Sequence, residues 1–300
     1  MKIEKCRYII GCLMLALGLQ SCQEQDDVIV GSQYPILFRN TQTRAVADID
    51  DLKTDGFKVH AYYERGNVTN TFEKNVTYQS TQDVWGYGSP EYWVSGAEYW
   101  FQAFYPSTSS AYTLNVNNKK YTITGLDITE QVDIMAASTN CKVNEGAMCP
   151  EDGSVVNLAF DHLLTCVVLE LRSSVPDVTI NKLILKGVAA TGSYVDGTWS
   201  SSETVTLEHA SGVSLGNVDY VDVTKGGILV IPEDIDGSSQ TLTVKASNKD
   251  YYITFPVGTW VKGKKYTYKA EIKQSDIIFA DSPDVDEWDS ESATGSVIIK

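Results

Sequence analysis

The apolar residues of this chain recur in short alternating runs separated by turn residues, which is the pattern of β-strands. In residues 264–273 the aromatic and aliphatic side chains occupy every second position, namely Tyr266, Tyr268, Ala270 and Ile272. Because successive strand residues point to opposite faces, this alternation predicts one buried and one solvated face. Strands are also predicted at residues 57–63, 99–106, 119–125, 180–188, 226–232, 241–246 and 251–256.

The turn signals support short strands rather than long helices. The pair Asp196-Gly197, between two strand-like runs, is typical of a two-residue hairpin turn. Residues 163–171 fit a helical stripe as well as a strand, but the β-branched Thr165 and Val167 and the neighbouring strands favour a strand. Many short strands with regular turns predict an all-β protein, built as a sandwich or a barrel.

The length of 300 residues allows two ordinary domains. We place the boundary near Gly153, before a new set of strands, which gives domains at residues 51–153 and 154–300. The composition suits sheets, because 17 Tyr and 6 Trp accompany many Val, Ile and Thr. The net charge of −15 repels phosphate groups, so no nucleic-acid partner is expected.

The N-terminus has the pattern of a lipoprotein signal peptide. A basic segment precedes an apolar run at residues 8–19, which is shorter than the ~20 residues of a membrane-spanning helix. The stretch LQSC at residues 19–22 matches a bacterial lipobox, in which the cysteine thiol receives a diacylglyceryl group. Residues 1–21 are therefore predicted to be removed, leaving Cys22 as a lipid anchor. A plain secretory signal with a chance cysteine is the alternative.

Cleavage before Cys22 leaves Cys141, Cys149 and Cys166. An oxidising compartment permits disulfides, and a bridge between Cys141 and Cys149 would close a short loop and stabilise the fold by about 2–3 kcal/mol. Cys166 lies in an apolar run and is expected to be a small core residue. A zinc site at the pair is the alternative, but neither a CxxC spacing nor a nearby His supports it.

The sequence offers few candidates for catalysis or metal binding. The histidines His60, His162 and His209 lie in no HExxH motif, and no GxSxG motif occurs. We therefore expect no enzyme activity, no metal and no cofactor. The acidic stretch at residues 281–291 could hold a cation, but its spacing fits no calcium loop and a solvated loop is favoured.

An aromatic cluster has both a functional and a structural interpretation. It could form a sugar-stacking platform, although such residues more often fill a sandwich core. The cluster consists of Trp85, Tyr87, Tyr92, Trp93, Tyr99 and Trp100.

Arg44-Ala45 is a candidate cleavage site. It follows a short apolar run at residues 34–38 and a polar stretch at residues 40–43, and an exposed loop of this kind is open to an arginine-specific protease. Taken alone, the motif is explained as well by an ordinary surface arginine.

Taken in order, these segments resemble the fimbrillin family (Mfa-like pilins) of the Bacteroidota, which are subunits of type V pili. The polar, acidic residues 23–27 likewise resemble the patch that marks surface-exported lipoproteins of that phylum. The resemblance covers most of the chain and rests on the order and spacing of its motifs. These are residues 19–22, 36–45, 84–106, 131–138, 156–173, 185–199 and 261–272, and Trp288. Cys141 and Cys149 depart from the family pattern.

The resemblance implies two tandem transthyretin-like β-sandwiches and an assembly route. Such pilins reach the outer membrane as lipoproteins, and a trypsin-like protease then cuts after an arginine, here Arg44. The cut releases the part of the leader region (residues 22–50) that precedes it, including the strand-like residues 34–38, and leaves a groove. A C-terminal strand of the next subunit, here Val297, Ile298 and Ile299, fills that groove by β-augmentation. The implied partners are other fimbrial subunits and the outer membrane, at the cell surface.

An uncleaved monomeric surface lipoprotein, or a tip or anchor subunit, is the alternative function. In that case the protein would act as an adhesin for a host protein or a glycan, and its density of aromatic residues is the feature that suggests it.

Overall fold

The fold is nearly all β, which confirms the predicted fold class. The computed structural model describes residues 31–40, 49–81, 84–143, 155–247 and 249–288. Within these ranges the helices are α1 (Ile49–Asp55) and one 3-10 turn (Ile128–Glu130). Neither of these two helices is long or apolar enough to cross a bilayer.

The strands of the first part of the chain are short, apart from β4. They are β1 (Gly31–Pro35), β2 (Leu37–Asn40), β3 (Phe57–Arg65), β4 (Val68–Gln79), β5 (Val84–Gly86), β6 (Tyr92–Val94), β7 (Glu98–Tyr105), β8 (Thr113–Asn117), β9 (Lys120–Asp127), β10 (Met135–Lys142), β11 (Val155–Leu158) and β12 (Asp161–His162).

The second part contains the longest hairpin of the described chain, formed by β14 and β15. Its strands are β13 (Thr165–Ser173), β14 (Thr179–Val195), β15 (Thr198–Ser214), β16 (Val221–Asp222), β17 (Ile228–Val230), β18 (Glu233–Ile235), β19 (Thr241–Ala246), β20 (Asp250–Thr254), β21 (Gly258–Trp260), β22 (Lys264–Ile272), β23 (Ile277–Phe279) and β24 (Asp284–Glu287).

The first sheet has the strand order β12-β10-β7-β3-β4-β5. Its strands alternate between two faces, and on one face Phe57, Val59 and Ala61 of β3 are buried together with Phe101 and Ala103 of β7. Two small sheets, β1-β6 and β2-β11, accompany the first sheet. The N-terminal strands are therefore part of the folded body.

The second sheet has the order β20-β19-β14-β9-β8, with β15 also paired to β14, and the third has the order β16-β13-β22-β23. The third sheet is built on the parallel pair β13 and β22, whereas every other described pair except β2-β11 is antiparallel. Leu183 and Leu185 of the second sheet belong to the same buried cluster as Leu169 and Tyr268 of the third. The two sheets therefore share one apolar core.

Hairpin β8-β9 belongs to the second sheet although it lies early in the sequence. Strand β9 pairs with β14, with Leu126 opposite Gly192 and Ile123 opposite Tyr194. A strand from the predicted first domain thus completes a sheet of the predicted second domain. The division into domains at residues 51–153 and 154–300 stays a prediction.

Several local predictions are confirmed. Most of the strand predicted at residues 163–171 lies in β13, which begins at Thr165. All four residues of the predicted buried face of β22 are buried. The turn at Asp196-Gly197 joins β14 to β15, with φ of 49° and 88°, the left-handed values that a two-residue hairpin requires.

The acidic stretch departs from the prediction. Residues 281–291 were expected to form a solvated loop. The described residues 281–288 are largely exposed, as expected, but Asp284–Glu287 form strand β24, which pairs with β22. Lysines neutralise its carboxylates: Asp284 lies 2.8 Å from the Lys269 ammonium, and Glu287 is bonded to Lys264. Backbone pairing and these contacts order the segment, while its side chains remain largely in water.

Candidate functional site

The candidate site is the place that strands β1 and β2 occupy, which we call the leader site. Strand β1 pairs antiparallel with β6, and Gly31 and Pro35 lie opposite Val94 and Tyr92. Beyond the proline, the Ile36 amide donates to the Glu91 carbonyl at 2.7 Å. The Ile36 carbonyl accepts a hydrogen bond from the Tyr87 hydroxyl. The backbone is therefore held on both sides of the break between β1 and β2.

Strand β2 pairs in parallel with β11, a strand far away in the sequence. Leu37 lies opposite Val155, and Phe38 lies opposite Val156. Among the described residues β2 is the only sheet partner of β11, and β1 is the only sheet partner of β6. Removing residues 31–40 would therefore leave two strands without a partner, with unpaired backbone groups along both.

The leader strands also fill the core. Ile36 is 0% exposed and Phe38 is 1% exposed. The Phe38 ring packs at 5.6 Å against both Tyr87 and Phe101, edge-on in the second case. Phe101 is in turn covered by Trp93 at 5.9 Å. Withdrawing the leader strands would uncover this aromatic layer.

Two tyrosine hydroxyls support the leader site. The Tyr99 hydroxyl accepts from the Val94 amide at 2.8 Å, next to the end of β6. Burial raises the pKa of Tyr99 well above its ordinary value, and burial likewise raises the pKa of Tyr87. Both phenols therefore stay protonated at neutral pH, which suits Tyr87 as a hydrogen-bond donor to the leader backbone.

The aromatic cluster is divided between core and rim. Trp85, Trp93 and Tyr99 are buried, whereas Tyr92 is 47% exposed. Tyr87 and Trp100 are half-buried. The core interpretation therefore holds for the largest side chains, and the cluster does not form one exposed platform.

Most of the predicted site residues lie outside the described residues. These are Cys22, Arg44, Ala45, Cys149, Val297, Ile298 and Ile299. The described chain nevertheless shows what lies on either side of Arg44. Strand β2 ends at Asn40 and α1 begins at Ile49, so the predicted cleavage site falls in the connection between them. Helix α1 crosses residue 50, where the leader was predicted to end.

The cysteines behave differently from one another. Cys141 is buried near the end of β10 and is disulfide-bonded. Its partner lies outside the described residues, so the pairing with Cys149 stays a prediction. Cys166 is a buried thiol outside any disulfide, as expected of a core residue, and it donates to the Gly226 carbonyl at 3.4 Å.

His162 is held by an acidic and an aromatic neighbour. His162 is buried and its Nδ1 lies 2.8 Å from Asp133, while its ring stacks on Trp288 at 3.9 Å. Within the described ranges no three His, Cys, Asp or Glu side chains are grouped to hold a metal ion. The contacts of His162 with Asp133 and Trp288 fit a structural role.

The sequence analysis missed the strand that receives β2. Residues 155–158 read as the start of a new domain, but β11 pairs with the leader rather than with a neighbour in sequence. The missed supporting residues are Tyr87 and Glu91, whose contacts with Ile36 are long-range. The available signal was that both residues belong to the aromatic motif at residues 84–106.

Comparison with known proteins agrees with this architecture. The family model described as fimbrillin-like matches residues 43–288, and the chain belongs to that family. A fimbrial protein from Bacteroides vulgatus superimposes with a TM-score of 0.61 at 16% identity, covering 85% of this chain and 99% of that one.

Two further solved structures share the fold. A candidate cell adhesion protein from Bacteroides ovatus has a TM-score of 0.57 at 15% identity, covering 86% of this chain and 99% of its own. Another from Bacteroides uniformis has a TM-score of 0.54 at 17% identity, covering 77% of this chain and 91% of its own. No match was found among curated proteins.

Proposed function

We propose that this chain is a structural subunit of a surface fimbria that polymerises by exchange of the strand in its leader site. In this proposal the chain is exported as an outer-membrane lipoprotein on Cys22 and is cut between Arg44 and Ala45. The residues that carry the proposal are Ile36 and Phe38, which are fully buried but precede the cleavage site. Membership of the fimbrillin-like family supports the fimbrial role.

The cut separates a strand from the fold that it completes. Until cleavage, β2 is tied to α1 by residues 41–48 and its local concentration is high. After cleavage, residues 31–40 are held only by noncovalent contacts, so they can dissociate and be replaced. The replacement in this proposal is the tail of a neighbouring subunit, with Val297 and Ile299 on one strand face.

The energetics permit a stable polymer. Burying each large apolar side chain contributes roughly 1.5–3 kcal/mol, and each hydrogen bond of the restored pairing adds ~0.5–1.5 kcal/mol. A neighbour's tail that supplies two such side chains recovers what loss of Ile36 and Phe38 removes. The strand pairing then links subunits without a covalent bond.

The decisive experiment combines cleavage with a defined tail. The lipid-free chain is treated with an arginine-specific protease, and polymers are followed by gel electrophoresis in mild detergent. Wild type should form ladders, Arg44→Gln should stay monomeric, and deletion of residues 295–300 should permit cleavage without ladders. Arg39→Gln is the matched control, since it removes the neighbouring arginine and should leave ladders unchanged.

Two outcomes contradict the proposal. Ladders that form equally well without residues 295–300 would exclude the tail as the incoming strand. Cleavage at Arg44 that leaves residues 31–40 bound, with no ladder at any protein concentration, would favour the monomeric alternative.

A further inference from the structure

A second concave site lies on the opposite face of the first sheet from the leader site. The cleft has a volume of about 450 Å³, which is within the range of small-ligand sites. Its floor is formed by β3 and β4, and its roof by Val116, Asn117 and Asn118 at the tip of hairpin β8-β9. The leader packs against Phe101 on β7. Because successive strand residues point to opposite faces, the Phe101 side chain lies on the face opposite to the cleft.

The floor is organised in two rows of cross-strand neighbours. In the first row Gln102, His60 and Glu73 lie directly opposite one another on β7, β3 and β4. Directly opposite residues of antiparallel strands point to the same face, so the three side chains form a polar line. In the second row, Tyr62 lies between Trp100 and Thr71.

Two acceptors of the polar line have no hydrogen-bond partner among the described residues, and of the two residues only His60 lines the cleft. The His60 Nδ1 lies 3.1 Å from the Glu73 carboxylate, which also accepts from Lys58 at 2.9 Å. With its proton on Nδ1, the neutral ring presents Nε2 as an acceptor. This atom is buried and has no hydrogen-bond partner within the part of the chain that the structure describes. The Oε1 atom of Gln102, a residue only 3% exposed, likewise has no hydrogen-bond partner among the described residues.

Burial keeps His60 in the form that accepts. Desolvation lowers the pKa of His60, against the opposing effect of Glu73, and Lys58 lowers it further. A group that donates hydrogen bonds into the cleft would satisfy an acceptor whose isolation costs free energy. Since Glu73, Asn117 and Asn118 also line the cleft, the ligand should carry several donors close together.

The roof is held in place by cation–π contacts. The Lys119 ammonium lies 3.7 Å above the Trp100 ring and 5.8 Å from the Tyr62 ring, and it is also 3.0 Å from Glu64. This side of the cleft is therefore fixed, with its lysine already engaged. Asn117 and Asn118 supply amides, which can both donate and accept.

We propose that the cleft between β3-β4 and hairpin β8-β9 binds a neutral saccharide unit. Hydroxyl groups are dense donors and acceptors, and they match a site of imidazole, amide, carboxylate and threonine groups beside a tyrosine ring. The lysines and carboxylates near the cleft are paired with one another, which disfavours a highly charged ligand. Repetition of the cleft along a polymer would convert weak single-site binding into avidity.

The test uses the full lipid-free chain on a printed array of neutral and acidic saccharides, followed by titration with glucose, galactose, mannose and N-acetylglucosamine. Thr71→Trp places an indole in the cleft from an exposed position, and His60→Phe keeps a ring but deletes both nitrogens. Each should weaken binding about tenfold or more. Thr69→Trp is the matched control, because it lies two residues away on the same exposed face of β4 and should bind as wild type.

Other outcomes overturn the proposal. It fails if no saccharide binds wild type at millimolar concentration, if only acidic saccharides bind, or if Thr71→Trp binds as well as wild type. Equal loss in Thr69→Trp also counts against it, since the effect would not be local to the cleft. Ladder formation on the same variants separates the two proposals, because blocking the cleft should leave polymerisation unchanged.

Discussion

At the scale of single residues, Ile36 and Phe38 carry the most information about this protein. They precede the predicted cleavage site, yet both are fully buried against the first sheet. A segment that is only a targeting leader has no need of such packing. Its side chains stabilise the folded chain, and this contribution would be lost in the proposed exchange of the segment.

Phe38→Ala should destabilise the uncleaved chain by about 3 kcal/mol, because it removes a buried ring and leaves a cavity beside Phe101. Urea denaturation followed by tryptophan fluorescence measures this change. The neighbouring Leu37→Ala is the matched control, since Leu37 is half-buried and should cost clearly less. Equal effects of the two changes would show that the ring does not anchor the leader.

Glu233 should make stability depend on pH. Burial raises its pKa to about 7, and the Ala189 amide, which donates to its carboxyl at 3.2 Å, opposes the shift. A carboxyl whose pKa is higher in the folded state stabilises the fold when protonated, fully below about pH 4. This contribution is lost as pH rises through about 7.

Glu233→Gln should remove this pH dependence. The amide keeps the acceptor for Ala189 but stays neutral, so the variant should gain about 1 kcal/mol relative to wild type between pH 5 and 8, an amount reduced by solvent screening of a partly exposed group. Thermal unfolding at several pH values measures the difference. Parallel curves for variant and wild type would contradict the assignment.

At the scale of elements, the hairpin β14-β15 is the longest unit of the described chain, and its turn decides its register. A one-residue slip would turn the buried Leu183 and Leu185 outward, so register matters for the shared core. The turn residues Asp196 and Gly197 both have positive φ, which fixes a two-residue connection.

Gly197→Ala should cost about 1 kcal/mol, because φ of 88° is strained for any residue with a Cβ although the site has open space around it. Equilibrium denaturation gives the value. Gly216→Ala is the matched control, as a Cβ there also meets no atom of the described residues within 4 Å and its φ lies outside the left-handed region. A loss at Gly216 as large as that at Gly197 would point to a cause other than backbone strain.

At the scale of the whole molecule, hairpin β8-β9 couples the two halves of the chain. It completes the second sheet through β14, and it roofs the cleft on the first sheet. The buried cluster that begins at Phe104 continues to Ile277. The two predicted sandwiches therefore share strands and core rather than meeting only through a linker.

The full chain should consequently unfold in one cooperative transition. Far-ultraviolet circular dichroism and tryptophan fluorescence should give coincident urea curves, because loss of the β9-β14 pairing disturbs both sides at once. Two separate transitions would show that the halves fold independently, which is the behaviour expected of two separate domains divided at residue 153.

The sequence by itself determined the strand character and the buried faces. Alternation at β22, the two-residue turn of β14-β15 and the β-branched run of β13 depend on neighbours in sequence, so local physics sets them. Tertiary structure alone decided which strands pair at long range. Leu37 with Val155, Ile123 with Tyr194 and His60 with Gln102 meet because closing those loops is repaid by shared burial. Alternation has the same period whichever strand is the partner, so the sequence pattern does not indicate which strands pair.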